Sequence, residues 1–224
     1  MQFCRDAIKN MTGYTPGEQP TDKSYIKLNT NENPYPPSPH VREVLDALMI
    51  EDLRLYPEPT GAEIRRKAAD LYGVEPENVI CGNGSDDLLT MAVRTFVDQG
   101  GKLACFEPSY SLYPVLAQIQ GADVVQLPLQ QDFSMPPVER VVDETGGCSL
   151  LFVTRPNAPT GNAFPLEQVE RLCRDFDGIV WIDEAYADFA EDDCIDFVKR
   201  FPNVLVSRSL SKSYSLAGVR FGLA

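Results

Sequence analysis

Near its end the chain reads SLSKSYSLAGVRFG, Ser209 to Gly222, and three kinds of side chain in that run suit one task. The Ser209 and Ser211 hydroxyls and the forked Arg220 guanidinium are what a phosphate dianion needs. Lys212 sits among them, and an amine beside a phosphate site fits a phosphorylated cofactor whose carbonyl is held as a Schiff base. A lysine in ordinary sequence is a solvated surface charge. Here the preceding VLVSRS, Val204 to Ser209, reads as a buried strand, so Lys212 lies where a strand runs out, a common place for ligand chemistry in α/β sheets.

Other strand ends offer matching parts. CGNGSDD, Cys81 to Asp87, follows one apolar run and opens a helical pattern. Its glycines let backbone approach a ligand, and Ser85 reads as the N-cap of a helix whose first free amides, near Ser85 and Asp86, face an anion. The same residues also fit a plain capped helix with acidic residues in its first turn. In VWIDEAYADF, Asp183 ends an apolar strand, where a buried carboxylate needs a positive partner. A protonated pyridine nitrogen would serve and would make the ring an electron sink; a structural cap is the plainer reading. Tyr186 fits either a donor to a ring hydroxyl or a half-buried aromatic. In RPNAPTGN, prolines and Gly161 set a rigid turn that holds Asn157 against a ligand or only reverses the chain. Tyr110 in FEPSYSLYP can stack on a flat ring or serve as core. Taken together, five strand ends supply the parts of one pyridoxal phosphate site.

These strand ends need a sheet to hold them. Runs rich in β-formers occur at NVICG, KLACFEP, ADVVQLPL, SLLFVTRP, GIVWIDEAY, NVLVSRS and VRFGLA. Helix-period segments lie between several of them, among them Ser85 to Val97 and Pro165 to Phe176. Such alternation predicts a three-layer α/β/α domain on a mostly parallel seven-stranded sheet. Two earlier helices are expected. One runs from Pro39 to Ile50 with Val41, Val44, Leu45 and Leu48 as its core face, the other from Gly61 to Tyr72 with Ile64, Ala68 and Leu71. The turn-rich LRLYPEPTG between them presents Tyr56. Residues 1–38, rich in proline, read as an irregular arm, and residues 39–224 as the ligand-binding domain.

Composition narrows the function. Across 224 residues, 43% are hydrophobic and 24% charged, as in a globular protein with a true core. A net charge of -13 argues against nucleic acid, since no basic stripe exists to displace counterions. His40 is the one histidine, so a histidine-based metal site or a Ser-His-Asp triad is close to excluded, and no metal is expected. Six cysteines form no C-x-x-C pair, and four sit in apolar runs, which reads as buried thiols in a reducing compartment. With no membrane-length apolar run and no signal-peptide core, a cytoplasmic protein without a membrane partner is expected.

The motifs LNTNENPYPPSP, LYPEPTG, GNGSDD, PNAPTG, DEAYADF and SLSKSYSLAGVRFG occur in an order that resembles the fold-type-I, aspartate-aminotransferase-like pyridoxal-phosphate enzymes. Within that family the chain is most similar to the histidinol-phosphate aminotransferases, from about Tyr14 to Ala224. The resemblance implies a homodimeric transaminase of histidine biosynthesis, taking histidinol phosphate and 2-oxoglutarate. It implies that Lys212 forms the Schiff base and then moves a proton, and that Asp183 pairs with the pyridinium nitrogen. Tyr186 and Asn157 would bond the ring hydroxyl, and Tyr110 would stack on the ring. Ser209, Ser211, Arg220 and the backbone at Ser85 and Asp86 would hold the phosphate, with Tyr56 reaching in from the partner subunit. Tyr14 and Asn33 fall in the segment that the family folds over substrate.

Two departures from the family stand out. Where relatives often read Asn-Pro-Asn-Asn-Pro-Thr-Gly, this chain has Arg155 and Ala158 in place of the first and last Asn. Family members also continue past the lysine into a small C-terminal domain that carries the substrate-anion arginine, and no residue up to Ala224 matches it. The resemblance therefore implies little turnover by these residues alone. A phosphothreonine decarboxylase-like enzyme shares the motifs, and a non-catalytic cofactor-binding fragment is a further reading. A nucleotide-binding Rossmann module is disfavoured, because GNGSDD lacks the last glycine of G-x-G-x-x-G.

Overall fold

The computed structural model describes residues 3–9, 11, 17 and 26–224. Its helices are α1 (Asp6–Lys9), α2 (Pro39–Asp46), α3 (Ala62–Tyr72), α4 (Ser85–Phe96), α5 (Leu112–Gln120), α6 (Val138–Glu144), α7 (Leu166–Asp175) and α8 (Phe197–Arg200). The strands are β1 (Cys81–Gly82), β2 (Lys102–Glu107), β3 (Asp123–Pro128), β4 (Leu150–Thr154), β5 (Ile179–Asp183), β6 (Val204–Ser209) and β7 (Gly222–Leu223). All seven fall within the runs expected from sequence.

They form one sheet in the order β1-β7-β6-β5-β4-β2-β3. Strands β2 to β6 pair in parallel, whereas β7 is antiparallel to both β6 and β1. The central strands are apolar on both faces because helices cover both, as a parallel sheet requires. On one face Leu103, Cys105, Leu150, Phe152 and Trp181 pack with Leu88, Leu89 and Val93 of α4 and Tyr113 and Leu116 of α5. On the other, Ala104, Phe106, Leu151, Val153, Val180 and Ile182 meet Val141 of α6, Val169 and Leu172 of α7 and Phe197 of α8. Each fully buried Leu, Ile, Val or Phe among them contributes roughly 1.5–3 kcal/mol, which fixes the strand ends as a rigid platform. From β2 the chain steps outward to β3, then returns on the other side of β2 to β4, so the loops after β2 and β4 part and leave a crevice.

The two early helices differ from expectation. Helix α2 stops at Asp46, followed by a 3-10 turn at Ile50–Arg54, and Val44, Leu45 and Leu48 are exposed. Apolar periodicity marks a face to be covered, and no described residue covers this one. Helix α3 buries Ala68 and Ala69, while Ile64 and Leu71 stay exposed. It is turned because its contact is the sheet edge, where Ala68, Ala69 and Val79 pack with Tyr72, Val74 and Leu223. Small alanines allow that close approach. Arm residues 26–38 carry no helix or strand, and α1 gives the arm a single helical turn.

Candidate active site

Parallel register places the chemistry. Thr154 at the end of β4 lies opposite Asp183 of β5, which lies opposite Ser207 of β6. Strand alternation sends the Thr154 and Asp183 side chains to the α4–α5 face, the side on which Phe152 and Trp181 are packed. The next turns of chain beyond β5 and β6 bring in Tyr186 and Lys212. Together they bound a cavity of ≈ 220 Å3.

Nine of the candidate residues line that cavity. Asp183, Tyr186, Ser209, Ser211, Lys212 and Arg220 come from the ends of β5 and β6 and the loops that follow, and Ser85, Asp86 and Tyr110 from the α4–α5 side. Thr30 and Glu32 of the arm also line it. Asp183 is nearly fully buried, and burial pushes its carboxyl up to about 6; the Asp86 charge adds to this, while Tyr113, the Ala185 amide and Ser207 oppose it. Its Oδ1 accepts from the Ala185 amide at 3.2 Å and its Oδ2 lies 3.0 Å from the Tyr113 hydroxyl.

Lys212 Nζ donates to the Thr30 carbonyl at 3.0 Å and stands 5.5 Å from the Tyr186 ring centroid. Asn31 in turn donates to the Tyr186 hydroxyl at 3.0 Å. Arg208, half-buried, donates to the buried Glu184 at 2.7 Å, an ion pair that ties the ends of β5 and β6 together.

The head of α4 is shaped by glycine. Gly84, not Ser85, is the N-cap, with φ 86° and ψ 168°, a conformation that suits glycine alone. Ser85 is the first helical residue, so its hydroxyl is released from capping, and the residue lines the cavity. A side-chain carbon on Gly84 would lie 2.6 Å from Arg220 Nη2, and one on Gly222 only 2.6 Å from the Ser85 amide nitrogen. Backbone, Arg220 and α4 therefore meet without side chains between them. Arg220 takes a left-handed conformation, with φ 58°, and its Nη2 lies 3.7 Å from Asp86 Oδ2. Ser209 Oγ accepts from the Ser211 amide at 3.1 Å, which curls the chain around this end.

The other candidates are placed differently. Tyr110 donates to Asp86 at 3.0 Å and meets Tyr113 edge-on, with 5.6 Å between centroids. Asn157 is buried, and Ala158 of the same turn lines the cavity instead. The Asn157 amide is engaged elsewhere, accepting from Ser109 at 2.7 Å and donating to the Pro108 carbonyl at 3.0 Å and Thr160 at 2.7 Å. Tyr56 is fully exposed and away from the cavity, and Tyr14 lies outside the described residues. Asn33 is not a lining residue but donates to the carbonyls of Lys212 and Ser213.

Comparison with known proteins agrees with this geometry. A family model described as aminotransferase class I and II matches residues 23–224. The chain belongs to that family. As an aminotransferase-family chain it is 47% identical over 226 residues to the histidinol-phosphate aminotransferase of Syntrophotalea carbinolica, covering 100% of this chain and 64% of that protein. It is 43% identical over 219 residues to that of Rippkaea orientalis, covering 97% and 61%. The chain thus spans 61–64% of the length of these curated relatives. Among solved structures, a histidinol-phosphate aminotransferase from Sinorhizobium meliloti in complex with pyridoxal-5'-phosphate superposes with a TM-score of 0.79 at 26% identity, covering 86% of this chain and 54% of that one. Aspartate aminotransferase from Thermus thermophilus with maleate gives 0.78 at 25% identity, covering 88% and 55%.

Sequence reasoning missed Tyr113, Thr154 and the arm residues Thr30 and Glu32. Tyr113 stacks on Phe152, with 4.4 Å between centroids, and in sequence it looks like any core aromatic of α5. The register of β4 against β5 was the signal that could have found Thr154, since both strands end in a polar residue after an apolar run.

Proposed function

We propose that residues 39–224 form the pyridoxal 5'-phosphate-binding domain of an aminotransferase that moves an amino group between histidinol phosphate and 2-oxoglutarate. One observation carries the reading: Lys212, the buried Asp183 and Arg220 face a single cavity from the ends of adjacent strands. The residues fit the cofactor. Bare backbone at Gly84 and Gly222 lets Arg220 and the first turn of α4 meet as a cradle at one end of the cavity, where they, with Ser209 and Ser211, would supply a phosphate's donors. Among the described residues the buried carboxylate of Asp183 has no cationic hydrogen-bond partner, as a site for a pyridinium nitrogen should be.

When bound, the cofactor supplies an electron-withdrawing ring that delocalises the electron pair left at the substrate's α-carbon. Lys212 Nζ would anchor it covalently and, once displaced by the substrate's amine, would take and return the proton at that carbon. Asp183 keeps the ring nitrogen charged, Tyr186 holds the ring hydroxyl, and Tyr110 covers the ring. The phosphate contacts fix the ring's position, and Thr30 and Glu32 exclude water where they line the cavity. Asn33, with Tyr14, belongs to the segment that closes over substrate.

We further read the active form as a cytoplasmic homodimer. Fully exposed Tyr56 would reach the partner's site, beside the exposed apolar residues Leu45, Leu48, Leu53 and Leu55. All six cysteines are free, which suits a reducing compartment. A spectroscopic half-reaction tests the reading. Histidinol phosphate should shift the visible absorption of the bound cofactor, and 2-oxoglutarate should restore it with glutamate formed. Release of carbon dioxide instead would assign a decarboxylase, and no spectral response would reject the substrate.

A further inference from the structure

Four groups run in a line behind Asp183. Asp183 Oδ2 is 3.0 Å from the Tyr113 hydroxyl, which is 2.7 Å from Thr154 Oγ1. Thr154 Oγ1 is 3.1 Å from Ser109 Oγ, which is 2.7 Å from Asn157 Oδ1. The far end has a fixed sense. The Pro108 carbonyl can only accept, so Asn157 must turn its NH2 toward it, at 3.0 Å, and its Oδ1 toward Ser109. Ser109 therefore donates to Asn157.

Four contacts then share three hydroxyl hydrogens if Asp183 is ionised, because both ends of the line can only accept. Tyr113 donates to Asp183, Thr154 donates to Tyr113 and Ser109 donates to Asn157. Thr154 and Ser109 are left oxygen against oxygen at 3.1 Å, the longest spacing in the line. A proton on Asp183 completes it, since Asp183 donates to Tyr113, Tyr113 to Thr154, Thr154 to Ser109 and Ser109 to Asn157. Two hydroxyl oxygens facing each other without a hydrogen between them are costly, and here Thr154 is buried and Ser109 half-buried.

The geometry points to a proton store: in the cofactor-free protein the line Tyr113–Thr154–Ser109–Asn157 favours the protonated form of Asp183 and raises its midpoint. Thr154 and Ser109 are positioning residues, and Asn157 is the acceptor that sets the direction. A cationic ring nitrogen against Asp183 reverses the first two links; this half rests on the cofactor reading above. The Asp183 O–H bond breaks and, for a neutral pyridine, an N–H bond forms on the ring; a ring arriving as pyridinium sends the proton to water. The other groups around Asp183 are Asp86 of α4, the Ser207 hydroxyl of β6, the Ala185 amide, and Tyr110, Tyr186, Lys212 and Arg220 lining the same cavity.

The test is a sign. In cofactor-free protein carrying carboxyl-13C aspartate, the Asp183 signal, assigned by its loss in Asp183→Asn, is titrated by NMR. Thr154→Val and Ser109→Ala each cut the line and remove the unmatched contact of the ionised state. Each should lower the Asp183 midpoint, by roughly half to one pH unit. A midpoint that is unchanged or raised in both folded variants, as for a tyrosine acting as a simple donor to a carboxylate, overturns the proposal. Adding pyridoxal phosphate near the midpoint should then drive the Asp183 signal to its ionised position. If the cofactor binds and the signal stays, the hand-over is wrong; if no cofactor binds, the cofactor reading fails while the titration still decides the proton store.

Discussion

Asn33 of the arm donates its amide to the main-chain carbonyls of both Lys212, at 3.2 Å, and Ser213, at 3.1 Å, across a separation of about 180 residues. A single side chain thus sets the backbone that carries the amine of the site. Asn33→Ala should remove one hydrogen bond from each carbonyl, leaving that of Lys212 to the Ser215 amide alone, and destabilise the fold by about 1–2 kcal/mol. Faster amide hydrogen exchange at 212–215 should accompany that loss, and exchange identical to the parent would show that the arm does not hold this loop.

Gly84 faces Arg220 so closely that Gly84→Ala must push the guanidinium away, and its φ of 86° penalises any side chain. Losing one charge-assisted pair to the phosphate should weaken pyridoxal phosphate binding by roughly tenfold or more. Absorbance titration reads this directly. Gly100 is also left-handed, but an added carbon there meets nothing within 4 Å, so Gly100→Ala is the control for backbone strain alone. Equal effects of the two changes would dismiss the cradle.

Asp183 should make stability depend on pH. Its folded carboxyl, pushed up to about 6 by burial, binds a proton more tightly than in the unfolded chain. Stability from that proton is complete below about pH 4 and is lost as pH rises through 6. Asp183→Asn removes the titration, so in the absence of cofactor it should be more stable than the parent above pH 6, by on the order of 3 kcal/mol. The gap should close toward pH 4. Urea unfolding of both proteins at pH 4 and pH 8 measures it, and a gap independent of pH would contradict the buried-charge account.

Much of this was legible in the sequence because the sheet is buried on both faces. Runs such as LLFV and IVWI can be little else, and polar residues at their ends, Asp183 and Ser209, had to face a ligand or a partner. Lys212 and Arg220 followed from the same logic. What failed to show were relations between elements. The exposed faces of α2 and α3 carry a good helical period, but period does not say what packs there. Asn157 sits in a turn that reads equally well with its amide in or out of the cavity, and only the meeting of Pro108, Ser109 and Thr160 turns it away. Tyr113 is indistinguishable in sequence from a core aromatic until β4 and β5 are in register.

Lys212 as the point where pyridoxal phosphate is anchored is the claim on which the proposed function most directly stands. Incubation with the cofactor, borohydride reduction and peptide mapping measure it, with seven lysines in the chain to choose from. A single reduced label on the peptide carrying Lys212, abolished in Lys212→Ala, is the predicted result. A label on any other lysine, or one that survives Lys212→Ala, would contradict it.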